Sequence, residues 1–318
     1  MQIADAIKEL AQGNVIAIPT ETVYGLAADA TNKSAIHTIF ALKKRPSDNP
    51  LIVHVWSKEL IKKYVKNISE IEALLIDKLM PGPLTILLPK NELIPYIVTA
   101  GSDLVAIRIP NHPLTQKILE KSGMALAAPS ANISGQPSPT TAEMVYDNFG
   151  NQIHIVDGWP CTVGIESTVI QVVDQKVLIH RPWFITPDDI QSVVWDSISV
   201  QYSNTNENIS PWVKYKHYSP KAKVYLLKSG MMIPTGSNNI ALLVTDEWIK
   251  SNTCDLEQSL CRIYRRWSHD NLLDCAQNLY QLYHKADKEN IQKIYVEELL
   301  EEGIGYAIMN RVRKSLSQ

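Results

Sequence analysis

The chain has 318 residues, 45% hydrophobic and 20% charged, with a formal net charge of −2. That length suits one large domain with a small one, or two of similar size, and the apolar content is enough for a sizeable core. The charge balance excludes a dedicated nucleic-acid coat, and the four cysteines (Cys161, Cys254, Cys261, Cys275) lack metal-site or redox spacing, so reduced thiols in a cytoplasmic protein are expected.

Ile3, Ala6, Ile7, Leu10 and Ala11 recur at helical spacing and Gly13 closes that helix, an amphipathic start rather than a signal peptide. No apolar run approaches membrane-spanning length, so no membrane partner is expected. Asn14 to Ile18 reads as a buried strand ending at Pro19. The following PTETVYGLAADA is dense in hydroxyls, with Thr20 and Thr22 flanking Glu21. Hydroxyls and small residues directly after a strand suit a ligand, while a plain helix cap would explain only one threonine.

The periodicity of Ala35, Ile36, Ile39 and Phe40 predicts a helix over 33–42 that feeds KKRPSDNPLIVHV, residues 43–55. Pro46 and Pro50 stiffen the turn that carries Lys43, Arg45 and Asn49 before a β-run containing His54. Such a loop can hold a polyanion; its cations can equally complement a helix C-terminus. Helices are expected over 58–64 and 71–79, the second stopped by Pro81-Gly82-Pro83, and strands over 84–88 and 104–109. Arg108 in the latter strand sits among apolar residues, so it must meet either an internal carboxylate or a ligand carboxylate.

A helix over 113–121 and a short strand over 125–128 lead into PSANISGQPSPTT, residues 129–141. Its turns can form an anion nest, supplemented by the start of the next helix near Thr140. Strands follow at 153–156, within IESTVIQVV, and at 177–180. Arg181 stands where the chain leaves the sheet, and a further helix is expected over 185–194. Residues 197–219 are polar and aromatic, with Trp212, Lys214, Tyr215, Lys216, His217 and Tyr218. They read as an inter-domain linker, either a lid over a nucleotide or a docking strap. From Ala222 a second α/β segment begins, with strands at 224–227, 240–244 and 291–296 and helices through Leu272–Tyr283 and Ala307–Val312. Arg311, Arg313 and Lys314 near its end could touch RNA, though such cations are usually solvated.

The chain has no Walker loop, no G-x-G-x-x-G fingerprint, no metal pattern and no G-x-S-x-G elbow. What remains is a set of cations with hydroxyl-rich loops at strand ends, an inventory for binding phosphate and carboxylate together.

Six ordered stretches, PTETVYGL (19–26), KKRPSDNPLIVHV (43–55), PGPLT (81–85), VAIRIP (105–110), APSANISG (128–135) and ESTVI (166–170), resemble the YrdC-like family. With KYKHYSP (214–220) and EGIGYAIMNRVRK (302–314), the chain resembles the long, two-domain threonylcarbamoyl-AMP synthases over nearly its whole length. The resemblance implies an α/β fold: a YrdC-like twisted mixed sheet with flanking helices over 1–196, a linker and lid over 197–220, and a smaller Rossmann-like α/β domain over 221–318. It also implies a reaction of L-threonine, bicarbonate and ATP to give threonylcarbamoyl-AMP and pyrophosphate, with Mg²⁺ accompanying ATP and no metal held by the protein. The product would pass to the tRNA threonylcarbamoyl-transfer machinery.

By motif, Thr22, His54, Arg108, Ala128 and Ser167 would contact threonine, Arg108 through its carboxylate. Lys43, Arg45, Asn49, Leu104, Ser130, Ser138, Arg181 and Tyr218 would hold ATP, with Lys43 and Arg45 stabilising charge on the reacting phosphates. The chain departs from the family pattern at Trp212-Val213, where Gly-Met is usual, at Lys216, where arginine is usual, and at Leu104, where a hydroxyl is usual. Two other readings stand beside this one: another carbamoyl-adenylate-forming enzyme, and a double-stranded-RNA-binding protein.

Overall fold

The computed structural model describes residues 2–203, 218–228, 231, 239–252, 261–268 and 271–317. These form two compact units, and the second takes in Gly135–Pro137 as well as the C-terminal part of the chain.

In the first unit the elements follow the sequence signals closely. α1 (Ile3–Ala11) ends at Gly13, which takes a left-handed φ of 80°. After β1 (Ile16–Ile18) and β2 (Gly25–Asp29), Asn32 caps α2 (Lys33–Lys43) by accepting from the amides of Ser34 and Ala35. β3 (Ile52–His54), α3 (Lys58–Tyr64), α4 (Glu70–Leu79), β4 (Leu84–Pro89) and α5 (Tyr96–Thr99) come next, with Ser69 and Glu72 forming a capping box on α4. Then follow β5 (Leu104–Arg108), α6 (Pro113–Ser122), β6 (Leu126–Ala127), α7 (Ala142–Phe149) and β7 (His154–Ile155). The unit closes with β8 (Thr168–Val173), β9 (Lys176–Arg181), α8 (Pro187–Gln191) and β10 (Ser199–Tyr202).

Two expectations need correction here. The helix expected over 185–194 is only the short α8. Residues 199–202, read from the sequence as linker, form β10, which pairs parallel with β9. Pairing along the edge of an existing strand supplies the order that its polar side chains do not advertise.

The strands form one mixed sheet in the order β10-β9-β8-β4-β5-β3-β6-β2-β1-β7. Alternation sends Ala17, Val53, Ile86, Ile107, Ala127, Ile170 and Ile179 to one face, into the main core. On the other face α1 and α6 cover only β1, β2 and β6, packing Ala6, Leu10, Ile118 and Leu119 on Ile16, Ile18, Ala27 and Leu126. Farther along that second face lies only a small cluster of Ile52, Ala106 and the partly buried Leu87. The site lies on this thinly covered part.

The second unit is built from β11 (Lys223–Leu227), β12 (Ile240–Thr245), α9 (Asp246–Ser251), β13 (Arg262–Trp267), α10 (Leu272–Lys288), β14 (Lys293–Glu297) and α11 (Ile304–Ser315). Its strands run in the order β11-β14-β12-β13 and every pairing is parallel. Every residue of β12 is buried, as expected of a central parallel strand.

Gly305 opens α11 where there is no room for a side chain: a Cβ there would lie 2.2 Å from the Leu300 carbonyl oxygen. Gly305→Ala therefore forces backbone to move, and a loss of about 1–3 kcal/mol in urea unfolding is expected. An unchanged unfolding midpoint would contradict the close approach.

Candidate active site

Arg108 ends β5 on the thinly covered face and is 3% exposed. Its Nε donates to the Gly82 carbonyl at 3.2 Å and its NH1 to Thr22 Oγ1 at 2.8 Å. Its NH2 lies 2.7 Å from Glu21 Oε1, yet neither atom has a hydrogen-bond partner among the described residues. The pair is thus held by charge proximity, with the N–H not directed along the contact. Glu21 is fixed in turn by the Asn111 amide, which donates to its other oxygen at 3.0 Å. Of the two partners the sequence leaves open for Arg108, the internal carboxylate is present.

Thr20 organises the loop that brings Thr22 there. Its Oγ1 accepts from the amides of Thr22 and Val23, donates to the Val23 carbonyl at 2.6 Å, and lies 2.8 Å from Thr22 Oγ1. The hydroxyl cluster after β1 therefore caps a turn and not a helix; β2 follows it. His54 stands beside Arg108 in the β3–β5 register. Burial, reinforced by the Arg108 charge, pushes its imidazole pKa down to about 3, and its Nδ1 has no hydrogen-bond partner among the described residues. The imidazole is neutral at physiological pH.

On the other side of Arg108 the same row continues through Thr85, Val169 and Arg181. Thr85 pairs with Val169, and Val169 with Arg181. Strict alternation from Ile179 would turn Arg181 into the main core, but the register shifts between Val169 and Ile170. Such a bulge re-aims a side chain, and Arg181 instead donates to the Ser167 carbonyl at 2.9 Å and to Ser167 Oγ at 3.0 Å. Ser167 Oγ also lies 2.7 Å from Thr85 Oγ1. Ser167, Arg181, Arg108, Thr22 and His54 are therefore neighbours on one surface.

Lys43, the last residue of α2, is 1% exposed. Its ammonium donates to the Asn132 carbonyl at 2.6 Å and to the Ser130 carbonyl, so it is clamped to the loop after β6 rather than standing out from its own. Burial, then the neighbouring Arg45, pushes its pKa well below the usual lysine range, while Glu166 opposes the fall. Arg45 folds back onto the turn that carries it. Its Nε donates to the Asn49 carbonyl at 3.0 Å, and its NH2 to Asn49 Oδ1 at 2.6 Å and the Pro50 carbonyl at 2.8 Å. The stiff loop read from Pro46 and Pro50 is thus pinned by its own arginine, with Asn49 buried beneath it.

Ser138 donates to Glu166 Oε1 at 2.6 Å. Ala128 is buried, with its amide bonded to the Ile52 carbonyl at 2.9 Å and its Cβ against Gly25, where an added Cβ would come within 3.2 Å of it. Leu104 begins β5, an interior strand, at the end where the 44–51 loop enters the parallel β3, away from Arg108, and its amide donates to Ser102 Oγ at 3.0 Å. Tyr218 belongs to the second unit. There its ring stacks on Tyr280 at 5.5 Å, with the Arg311 guanidinium 4.7 Å from its centre. Arg311 is consequently buried inside that unit, not displayed on the helix end. Trp212, Val213, Lys214, Tyr215, Lys216 and His217, the remainder of the expected lid, lie outside the described residues. Glu21, Thr85 and Glu166 joined the site unforeseen. The acid inside PTETVYGL and the one opening ESTVI were the available signals for the two carboxylates.

Residues 8–182 match the family described as "Telomere recombination", which groups the Sua5, YciO and YrdC proteins. Residues 185–317 match the "Threonylcarbamoyl-AMP synthase, C-terminal domain". The chain is 35% identical to the threonylcarbamoyl-AMP synthase of Pyrococcus abyssi, covering 96% of this chain and 91% of the relative. The chain belongs to the threonylcarbamoyl-AMP synthase family. The family's Bacillus subtilis member is 37% identical, with 99% and 92% covered. A crystal structure of Pyrococcus abyssi Sua5 complexed with L-threonine superposes with a TM-score of 0.83 at 33% identity, covering 98% of this chain and 93% of that one. The YrdC-like mixed sheet and the parallel second sheet are therefore family features, carried here with both parts present.

The neutral His54 has a consequence for stability. An unfolded imidazole takes its proton near pH 6.5 and the native one only near 3, so the contribution is complete above about pH 6.5 and lost as the pH falls. Wild type is expected to lose about 2 kcal/mol more than His54→Gln between pH 7.5 and 5 in urea unfolding. Equal losses would show that His54 takes up its proton without penalty.

Proposed function

We propose that the chain condenses L-threonine, bicarbonate and ATP into threonylcarbamoyl-AMP with release of pyrophosphate, using the residues grouped on the thinly covered face of the first sheet. The observation that carries this reading is the adjacency of Arg108 and His54, buried neighbours in register that each keep a polar nitrogen without a hydrogen-bond partner among the described residues. Buried polar groups call for partners, and a small zwitterion with a carboxylate and a hydroxyl supplies them.

In this reading Arg108, held in plane by Gly82, Thr22 and Glu21, takes the threonine carboxylate. Thr22, Ser167 and the neutral His54 line the rest, and His54 offers a hydrogen bond without a further positive charge. Ala128 keeps the floor small. Threonine's amine and bicarbonate form a carbamate with loss of water. A carbamate oxygen attacks the α-phosphate, and the bond to pyrophosphate breaks on the opposite side. Lys43, Arg45 and Arg181 balance the phosphate charges, while Asn49, Ser130, Ser138 and the backbone at Leu104 position the nucleotide. Most of the rate effect then comes from positioning and fixed charge, with no protein nucleophile. Tyr218, whose ring packs on Tyr280 and Arg311 in the second unit, is the remaining residue assigned to ATP.

Magnesium in this proposal arrives with the triphosphate and neutralises part of its charge. Among the described residues no group of three or more His, Cys, Asp or Glu side chains could hold a metal. The product would be handed to the tRNA threonylcarbamoyl-transfer machinery in the cytoplasm, with any RNA contact weak. No described helix is long and apolar enough to cross a membrane, and the described cysteines Cys161, Cys261 and Cys275 form no disulfide among the described residues. The double-stranded-RNA alternative is not favoured, since Arg108 and Arg181 are buried in the sheet face and Lys43 is buried at its helix end.

The test is pyrophosphate release from ATP with and without L-threonine and bicarbonate. Wild type should need both. Arg108→Ala should lose about 100-fold in kcat/KM for threonine, on the order of 3 kcal/mol, with the KM for ATP little changed. Release that ignores threonine would overturn the reading.

A further inference from the structure

We infer that Glu166 is a positioning residue for the phosphate-holding side of the site, the single buried carboxylate that both aligns Ser138 and balances the charge of Lys43. The inference rests on the ATP-site reading above and goes beyond it, since Glu166 belongs to neither the threonine set nor the ATP set.

Glu166 lies in the loop before β8 and is 7% exposed. A carboxylate taken out of water at that depth is costly without compensation, and it is flanked by Ile165 and Ser167, which are fully buried. One oxygen accepts from Ser138 Oγ at 2.6 Å across 28 residues of chain, a length typical of a bond to an ionised acceptor. That bond fixes the hydroxyl at the far end of the 129–141 loop. The near end of the same loop is fixed by Lys43, through the carbonyls of Ser130 and Asn132. Lys43 and Glu166 thus hold opposite ends of one phosphate-facing loop.

The second role follows from the charges around Lys43. Its own loop contributes Arg45, which disfavours a second positive charge beside it. The loop after β6 contributes only carbonyls, and the loop before β8 contributes Glu166, which favours the charged ammonium. Two adjacent cations meant for a polyanion need some negative charge to stay protonated until it arrives. An acceptor of the wrong shape would compete with the phosphates. Glu166 avoids that conflict because one of its oxygens is already engaged by Ser138.

Glu166→Gln separates the two roles, because the amide oxygen can still accept from Ser138 while the charge is gone. Removing a negative charge lowers the pKa of Lys43, so the ammonium is lost at a lower pH. Equilibrium binding of ATP, followed from pH 6 to pH 10, should fall off with its midpoint shifted to lower pH in Glu166→Gln than in wild type. Glu166→Asp should recover part of the shift, and Ser138→Ala should weaken binding equally across the whole pH range. In turnover, the KM for ATP should rise with the KM for threonine nearly constant. The same pH dependence in Glu166→Gln and wild type would overturn the inference. So would a parallel loss of threonine and ATP affinity, which marks a general structural defect. Wild-type binding of ATP without threonine-dependent pyrophosphate release would overturn the synthase reading and leave the Glu166 comparison intact. Failure of wild type to bind ATP would overturn both.

Discussion

The ion pair between Arg108 and Glu21 is the constraint on which the site depends. Both groups are buried, and breaking such a pair by removing one partner costs about 3–5 kcal/mol, since the other charge stays behind in the protein. The pair is therefore weak support for stability but strong support for geometry. It ties the loop after β1 to the end of β5, and Gly82 and Asn111 tie the adjoining turns to the same two side chains. Two separate stretches of chain, the loop after β1 and the Gly82 turn, converge on one guanidinium. Because the Arg108–Glu21 contact is close but not aligned as a hydrogen bond, the guanidinium keeps donor capacity for a second carboxylate.

Around that point the sheet itself arranges the chemistry. Helices α1 and α6 cover one end of the second face and stop, so the middle strands carry polar and charged side chains where a fully layered sheet would carry core. The main core on the opposite face is what makes this possible, by holding the strands without a helix layer over the site. A bulge between β8 and β9 then turns Arg181 onto the working face. Lys43 and Arg45 are placed differently, by a helix end and a self-pinned turn, and burial works against the Lys43 charge while Glu166 favours it.

Much of this was legible in the sequence. α3 follows its apolar spacing residue for residue, α2, α4 and α6 differ from theirs by a residue at one end, and the Lys43–Val55 stretch announced both the turn and the strand after it. Thr22, His54, Arg108 and Ser167 lie within the quoted family stretches and Arg181 where the chain leaves the sheet, and the sheet brings all five onto one face. Other elements were hidden for physical reasons. β2 is made of small residues that signal no strand, and β13, with the sequence RIYRRW, mixes cations into a run that pairing with β12 nonetheless orders. β10 gains its order from the edge of β9. Glu21 was visible as an acid among threonines, but its partner lies 87 residues away and no local pattern connects them. The nearness of Leu104 to the 44–51 loop follows from the parallel pairing of β3 and β5, a fact of topology.

The most direct measurement compares L-threonine with L-threoninol, its carboxylate-free analogue, by isothermal titration calorimetry on the wild-type chain. If the Arg108 guanidinium receives the substrate carboxylate, L-threonine should bind and L-threoninol should be at least about 100-fold weaker, the loss of one buried charge-assisted contact. Equal binding of the two would contradict that assignment and with it the central role given to Arg108.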